Sequence, residues 1–310
     1  GTYMAGVNMI SDEVREGGPD LEKTTSDLSA SLRELGIETF RLKTGTPPRV
    51  LTSSIDFSKT QYEPGTEGFL RFSETTGRED VLPYGKQVPC YLTYTTPETH
   101  ELILNNLNRS SMYSGVVKGV GPRYCPSIED KLVRFQDKPR HLLFLEPESL
   151  FMDTTYIQGF STSLPRDIQE KMVHSLPGFE HSVIRKYAYA IEYDAIYPVQ
   201  MKPTFESKII ENLFTAGQVN GTSGYEEAAG QGLMAGINAS LKLEEREPIV
   251  FGRDEAYIGV LVDDLTTKGT LEPYRLLTSR SEFRLLLRHD NAEERLIRYG
   301  RYAGLISDER

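Results

Sequence analysis

The sequence predicts an α/β protein in which a β-rich segment interrupts two stretches of alternating strand and helix. Three observations carry this expectation. Residues 27–42 read as an amphipathic helix running into a strand. Residues 51–122 hold strand patterns set off by Gly, Pro and Asp turns. Residues 213–243 pass from a short apolar strand, through a loop of small and amide residues, into a long helix rich in small residues.

In the first stretch, Leu28, Leu32 and Leu35 share one face of a helix over residues 27–36, and Gly36 supplies its stop. Residues 37–42 have the length of a strand. Residues 43–49, Lys43-Thr44-Gly45-Thr46-Pro47-Pro48-Arg49, read as a sharp rigid loop able to set backbone N–H groups beside a ligand. Within the β-rich segment the strand patterns are residues 68–72, 87–95 and 113–118. One helix interrupts them, with Thr96 as N-cap and Pro97 at its first position, and runs to about Asn106. Beyond the segment, residues 140–145 form a strand. Pro165 opens a helix whose Ile168, Met172 and Leu176 make an apolar stripe, ended by Pro177-Gly178. A last helix starts at Asp290 or Asn291, with Glu294 placed for a capping box, and closes at Gly304.

Composition narrows the function classes. No apolar stretch among the 310 residues approaches the roughly 18 needed to span a membrane, so no span is expected. The N-terminus lacks the pattern of a secretory signal, and a cytoplasmic address is expected. Cys90 and Cys125 are the only cysteines and lie too far apart in sequence for a CxxC knuckle. The five histidines show no HxH or HExxH spacing, so no metal is expected. A net charge of −10 excludes a uniformly basic nucleic-acid binder. Residues 271–310 are nevertheless net positive by one, and Arg275, Arg280, Arg284 and Arg288 face a single nearby acid, Glu282. This stretch is the candidate RNA contact; a solvated face with internal ion pairs is the alternative.

The segment that carries most chemistry is Leu213-Phe214-Thr215-Ala216-Gly217-Gln218-Val219-Asn220-Gly221-Thr222-Ser223-Gly224-Tyr225-Glu226-Glu227 and the helix that follows it. Small residues let backbone approach a dinucleotide closely, and a helix N-terminus presents free N–H groups with partial positive charge. A glycine-rich turn packed for tertiary reasons is the alternative on glycine spacing alone. Glu226 and Glu227 read as complements of the helix dipole. Cys90, within an apolar run, reads as a packed strand residue.

From Ala216 to Ala239 this string resembles the pattern AGQxNGTxGYEEAxxQGxxAGxNA of the tRNA uridine-5-carboxymethylaminomethyl modification enzymes, the MnmG or GidA family. A second signature, GPxYCPSxExK, is matched by Gly121-Pro122-Arg123-Tyr124-Cys125-Pro126-Ser127-Ile128-Glu129-Asp130-Lys131. Residues 41–49, 259–265 and 272–288 add further matches. The resemblance implies a partial FAD-binding, Rossmann-like domain of the two-dinucleotide-binding-domain type. Residues 1–50 and 123–245 would be its two parts, residues 51–122 a β-rich insertion related to nicotinamide binding, and residues 246–310 the start of a helical, tRNA-binding region. It implies FAD, NADH and 5,10-methylenetetrahydrofolate as cofactors, tRNA as substrate, the GTPase MnmE as partner, and a homodimer. Gln218 would contact FAD, completed by Gly217, Asn220, Gly221, Gly224, Tyr225 and Glu226, with Ser29, Thr44, Gly45 and Thr46 adding to the site. The second signature, continued by Leu132, Val133, Arg134 and Phe135, would hold the nicotinamide. Cys125 would be the catalytic thiol: C5 of uridine is a poor nucleophile until something adds at C6, which a thiolate can do. Arg123 and Lys131 are placed in sequence to lower its pKa.

The sequence has no GxGxxG after a first strand. The expectation is therefore of a chain that starts inside the FAD domain and lacks most of the helical region expected to meet MnmE. A folate- and FAD-dependent tRNA uracil methyltransferase, TrmFO-like, and a non-catalytic RNA- or partner-binding fragment are the competing readings.

Overall fold

The computed structural model describes residues 3–71, 73, 75–122 and 126–309. In chain order its elements are β1 (Met4–Ile10), β2 (Glu13–Glu16), α1 (Ser26–Glu34), β3 (Thr39–Thr46), β4 (Arg49–Val50), β5 (Gln61–Glu63), β6 (Cys90–Tyr94) and α2 (Pro97–Leu104). They continue as α3 (Ile128–Arg134), β7 (Leu142–Pro147), β8 (Thr155–Gln158), α4 (Arg166–His174), β9 (Ile184–Lys186), β10 (Tyr189–Ile196), α5 (Tyr225–Leu243), α6 (Tyr257–Asp263) and α7 (Ala292–Tyr302). No helix among the described residues is long and apolar enough to cross a membrane.

Two antiparallel sheets organise the strands. The first has the order β2-β1-β10-β3, and the second β5-β6-β7-β8-β4-β9. In the first, β10 lies between β1 and β3, and all eight of its residues are buried. That burial includes two acids, Glu192 and Asp194, which survive only because cations reach them. Arg41 meets both, at 3.6 Å and 3.0 Å, and Arg33 closes on Asp194 from α1. In the second sheet, strands on both sides of the 122/123 boundary drawn from sequence pair with one another, and β4 lies between β8 and β9.

The main core lies on this second sheet. Val50, Leu143, Leu145 and Ile157 pack against Ile103 of α2, Ile128 and Leu132 of α3, and Ile168, Met172 and Val173 of α4. Each such aliphatic side chain contributes about 1.5–3 kcal/mol over its exposed state. The α2 start is as its sequence predicts: Thr96 Oγ1 accepts from Thr99 N and Pro97 takes the first position. The α4 stripe is also as predicted, with Leu176 buried just past its end. A second core joins Met234, Ala235 and Leu241 of α5 to Leu261 and Val262 of α6 and to Leu265 and Tyr274.

Several local expectations are corrected. Residues 43–46 are not loop: they extend β3, pairing with residues 192–189 of β10, so sheet hydrogen bonds override the turn composition. Residues 68–71 form no strand, since Gly68 takes φ +98°, and Phe72 lies outside the described residues. Residues 113–118 turn instead of extending, because Ser110 O accepts from both Tyr113 N and Ser114 N. The strand expected at residues 213–216 is reduced to one bridge, between Glu206 and Phe214. Of the three leucines expected on one face of α1 only Leu32 is buried, while Leu28 and Leu35, the latter just past the helix end, are exposed.

Candidate functional site

The loop from Gly217 to Gly224 is built by two glycines and an amide network. Gly217 and Gly221 take φ +85° and +80°, backbone that L side chains rarely adopt, and they bracket a short 3-10 turn. Gln231, buried on α5, accepts from Gly217 N (3.1 Å) and Asn220 Nδ2 (3.0 Å) and donates to Thr222 Oγ1 (3.0 Å). Asn220 closes the circuit by donating to Thr215 O and accepting from Thr215 Oγ1. The glutamine of the QG pair therefore sets the loop's shape, a role its sequence position did not reveal.

Within the loop, Gln218 turns to two tyrosines. Tyr3 and Tyr193 meet edge to face at 5.2 Å. Burial pushes the Tyr3 phenol up and that of Tyr193 up to about 12, and the Gln218 side chain opposes burial in both cases. Tyr193 Oη nonetheless makes no hydrogen bond of normal geometry, which leaves a buried hydroxyl unpaired beside Gln218. Such a group costs about 1–3 kcal/mol and is unusual without a ligand or water to meet. Neither tyrosine was expected from sequence to face Gln218; their separation of 190 positions hides the pair.

The long helix α5 begins directly after the loop. Gly224 is its N-cap, and Tyr225 and Glu226 are exposed on its first turn, where three N–H groups have no partner within the helix. Glu227, expected as a dipole complement, is buried instead. Its Oε1 accepts from Arg275 Nε (3.2 Å) and Leu276 N (2.8 Å), fastening α5 to the segment before α7, while its Oε2 is unpaired.

The expected flavin contacts thus divide. Gln218, Gly224, Tyr225 and Glu226 keep accessible surface. Gly217, Asn220, Gly221 and Ser29 are buried and shape the wall from behind: Asn220 is spent on Thr215 and Gln231, and Ser29 Oγ donates to Asp194. Thr44, Gly45 and Thr46 are half-buried in β3, two to four residues along the ladder from the Leu42–Tyr193 pair.

Of the second signature, Arg123, Tyr124 and Cys125 lie outside the described residues. On its flanks, Gly121 and Pro122 are half-buried, and Pro126 leads to Ser127, whose Oγ caps α3 by accepting from Asp130 N (3.1 Å). The residues of α3 then split by face. Ile128, Glu129 and Leu132 point into the core; Asp130, Lys131 and Val133 are half-buried, and Arg134 and Phe135 are exposed. Glu129 Oε1 accepts from Thr162 Oγ1 (2.7 Å), Ser110 Oγ (3.1 Å) and Ser163 N (3.2 Å), while burial drives its carboxyl well above the usual range. These three inward residues hold the helix in place. Lys131 Nζ donates to Gly159 O at 3.0 Å. Lys43, not singled out before, packs its stem where a Cβ at Gly121 would stand 2.5 Å away, and burial lowers its ammonium pKa.

The four arginines expected to meet RNA are mostly engaged. Arg275 pairs with Glu227, Arg288 with Asp290 at 2.9 Å, and Arg280 lies over the Tyr274 ring, 3.9 Å from Asp264. Arg284 is exposed and has no carboxylate partner among the described residues. Glu282, the single acid of that stretch, is bound by Arg253, which also holds Asp263 and Asp264. No group of three or more His, Cys, Asp or Glu suited to a metal lies among the described residues.

A mixed α/β chain with two sheets, a small-residue loop and a helix that opens toward it belongs to the dinucleotide-binding, Rossmann-type flavoprotein class. The family can be stated as well: residues 1–247 match the family of glucose inhibited division protein A, GIDA, and the chain belongs to it. It is 58% identical over 309 residues to the tRNA uridine 5-carboxymethylaminomethyl modification enzyme MnmG of Mycoplasma mobile, covering 100% of this chain and 50% of that protein. Against the enzyme of the same name from Bacillus subtilis it is 58% identical over 310 residues, covering 100% and 49%. The structure of Aquifex aeolicus GidA in its form I crystal superposes with a TM-score of 0.91 at 52% identity, covering all of this chain and 52% of that one. The form II crystal gives 0.90 at 50% identity, covering 100% and 50%. The chain thus spans about half the length of the relatives it matches.

Proposed function

We propose that this chain is the central part of an FAD-dependent enzyme that installs a carboxymethylaminomethyl or aminomethyl group at C5 of the wobble uridine of tRNA. The carrying observation is Gln218 beside the unpaired Tyr193 hydroxyl at the start of α5, within the string shared with the family. The residues present fit a flavin. A buried hydroxyl without a partner, an amide on an accessible loop and a helix N-terminus suit the polar edge of its ring system. Gln218 and the first turn of α5 would hold that edge, with Gly217 and Gly221 keeping the loop close. When bound, the flavin would supply the redox chemistry that the reaction needs, with NADH as its reductant.

Cys125 has the role of adding to C6 of the uridine, which makes C5 a nucleophile, and of leaving once C5 has reacted. The one-carbon unit would come from 5,10-methylenetetrahydrofolate. The segment around Gly121 and the accessible side of α3 would receive the nicotinamide. Arg284 is the open cation for tRNA, and MnmE and a second copy of the protein are the partners that the family resemblance implies. The relatives' names, which specify uridine 5-carboxymethylaminomethyl modification of tRNA, support this reading.

Nucleoside analysis of tRNA treated with the full-length protein, flavin, NADH, the folate donor and MnmE tests it. The expected product is the wobble aminomethyl-type uridine, lost in Cys125→Ser. A C5-methyl on a loop uridine, with no wobble product, would overturn it in favour of the methyltransferase chemistry.

A further inference from the structure

A separate cleft opens on the six-stranded sheet. Leu92, Thr93 and Tyr94 of β6 form its floor, residues 58–61 and the Pro139-Arg140 pair its walls, and the start of α2 one end, around about 580 Å³. That volume lies within the range of small-molecule sites. Among the described residues no carboxylate lines the cleft, although the chain carries 45 Asp and Glu against 35 Lys and Arg. The lysine of its wall is already paired: Lys59 holds Glu180 at 2.9 Å and Asp56 at 3.9 Å. Glu98, on the first turn of α2, is not part of the lining.

Arg140 is differently placed. Its guanidinium carbon sits 3.9 Å from the centre of the Tyr94 ring, and it has no carboxylate within ion-pair distance among the described residues. Stacking occupies one face of the guanidinium and leaves the in-plane N–H fork open. Three of the hydroxyls around it are spent: Ser58 donates to Asp56, Thr60 to Phe57 O, and Thr93 to Pro177 O. Recognition in this cleft therefore rests on charge presented by a flat, pre-oriented fork.

We propose that the cleft binds a phosphate ester, with the Arg140 fork on the phosphate oxygens. Two parallel N–H···O bonds to a dianionic or diester phosphate match the geometry that stacking fixes. The cleft is larger than an inorganic phosphate, so the group would arrive on a larger body, either a free nucleotide or an RNA backbone. This site is distinct from the loop at Gln218, and its assignment does not depend on the enzymatic reading above.

Calorimetric titration of the FAD-loaded full-length protein with inorganic pyrophosphate tests the proposal, using wild type, Arg140→Ala and Arg140→Lys. Arg140 is exposed, so its loss leaves the fold intact, which thermal melting checks. Binding is expected to weaken roughly tenfold or more in Arg140→Ala and by an intermediate factor in Arg140→Lys, which keeps the charge but not the fork. Displacement of pyrophosphate by a single-stranded RNA oligonucleotide would assign the phosphate to an RNA backbone; displacement by AMP and not by RNA would assign it to a free nucleotide. Pyrophosphate binding that is absent at millimolar concentration, unchanged in Arg140→Ala, displaced by neither competitor, or equalled by the dicarboxylate succinate would overturn the proposal.

Discussion

Glu192 and Tyr193 are neighbours on β10 and serve opposite faces of it. Tyr193 turns its hydroxyl toward Gln218, while the Glu192 carboxylate accepts from the backbone N–H groups of Lys118 and Gly119, just ahead of the second family signature. Successive strand residues point to opposite sides. One strand therefore braces both of the loops to which the proposed chemistry is assigned.

The Tyr193 hydroxyl yields a prediction with opposite signs in two measurements. Tyr193→Phe removes an unpaired buried polar atom, so thermal unfolding of the chain is expected to be unchanged or raised by up to about 1 kcal/mol. In the full-length protein the same change and Gln218→Ala are each expected to weaken FAD binding by roughly tenfold, read by quenching of flavin fluorescence. Unaltered flavin affinity in both variants would remove this pair from the site.

Glu192→Ala takes the acceptor from two N–H groups and removes one of the two carboxylates that Arg41 meets, leaving it Asp194. The expected loss is about 2–4 kcal/mol in urea unfolding. Hydrogen exchange at the Lys118 and Gly119 amides should accelerate more than at the β1–β10 ladder.

Glu206 gives the pH dependence. Lys242 above all, with Asn212 N and Lys202, holds its carboxyl down to about 2 from the usual 4.5. A depressed carboxylate pKa stabilises the fold above the unfolded-state value and is lost as pH falls through the folded one. Stability should therefore decline between about pH 4.5 and pH 2. Glu206→Gln should be less stable near neutrality by about 1–2 kcal/mol and show a shallower acid limb in a pH series of melts.

Among the basic residues after position 271, Arg284 is expected to matter most for tRNA. Arg284→Ala in the full-length protein should weaken binding across tRNA sequences and reduce the salt slope by about 1. Arg288→Ala, whose side chain is already given to Asp290, should do less. Equal effects of the two would argue that Asp290 releases its partner on binding.

What sequence revealed and what it hid follow physical lines. Helices α2 and α4 and the start of α5 were legible because caps, prolines and glycines act locally. Strand β10 was not, since Glu192 and Asp194 interrupt its apolar run and their cations come from α1 and β3. Residues 43–46 were misread because Thr-Gly-Thr-Pro-Pro has turn chemistry, while their pairing with residues 189–192 is nonlocal. Gln218 could be named from its string. The tyrosines it faces could not, because only folding brings positions 3 and 193 together.

The two-residue strand β4 has a consequence for how this architecture can be altered. The chain lays down Arg49–Val50 between the future places of β8 and β9, then goes on to form β5, β6 and α2 at the far side of the same sheet. Excising residues 51–122 would uncover the edge of β7 and remove Ile103 from the shared core. An uncovered strand edge recruits other chains. The segment is thus no interchangeable cassette: a graft from a relative would have to bring a matching β7 face with it, so the two regions should change together.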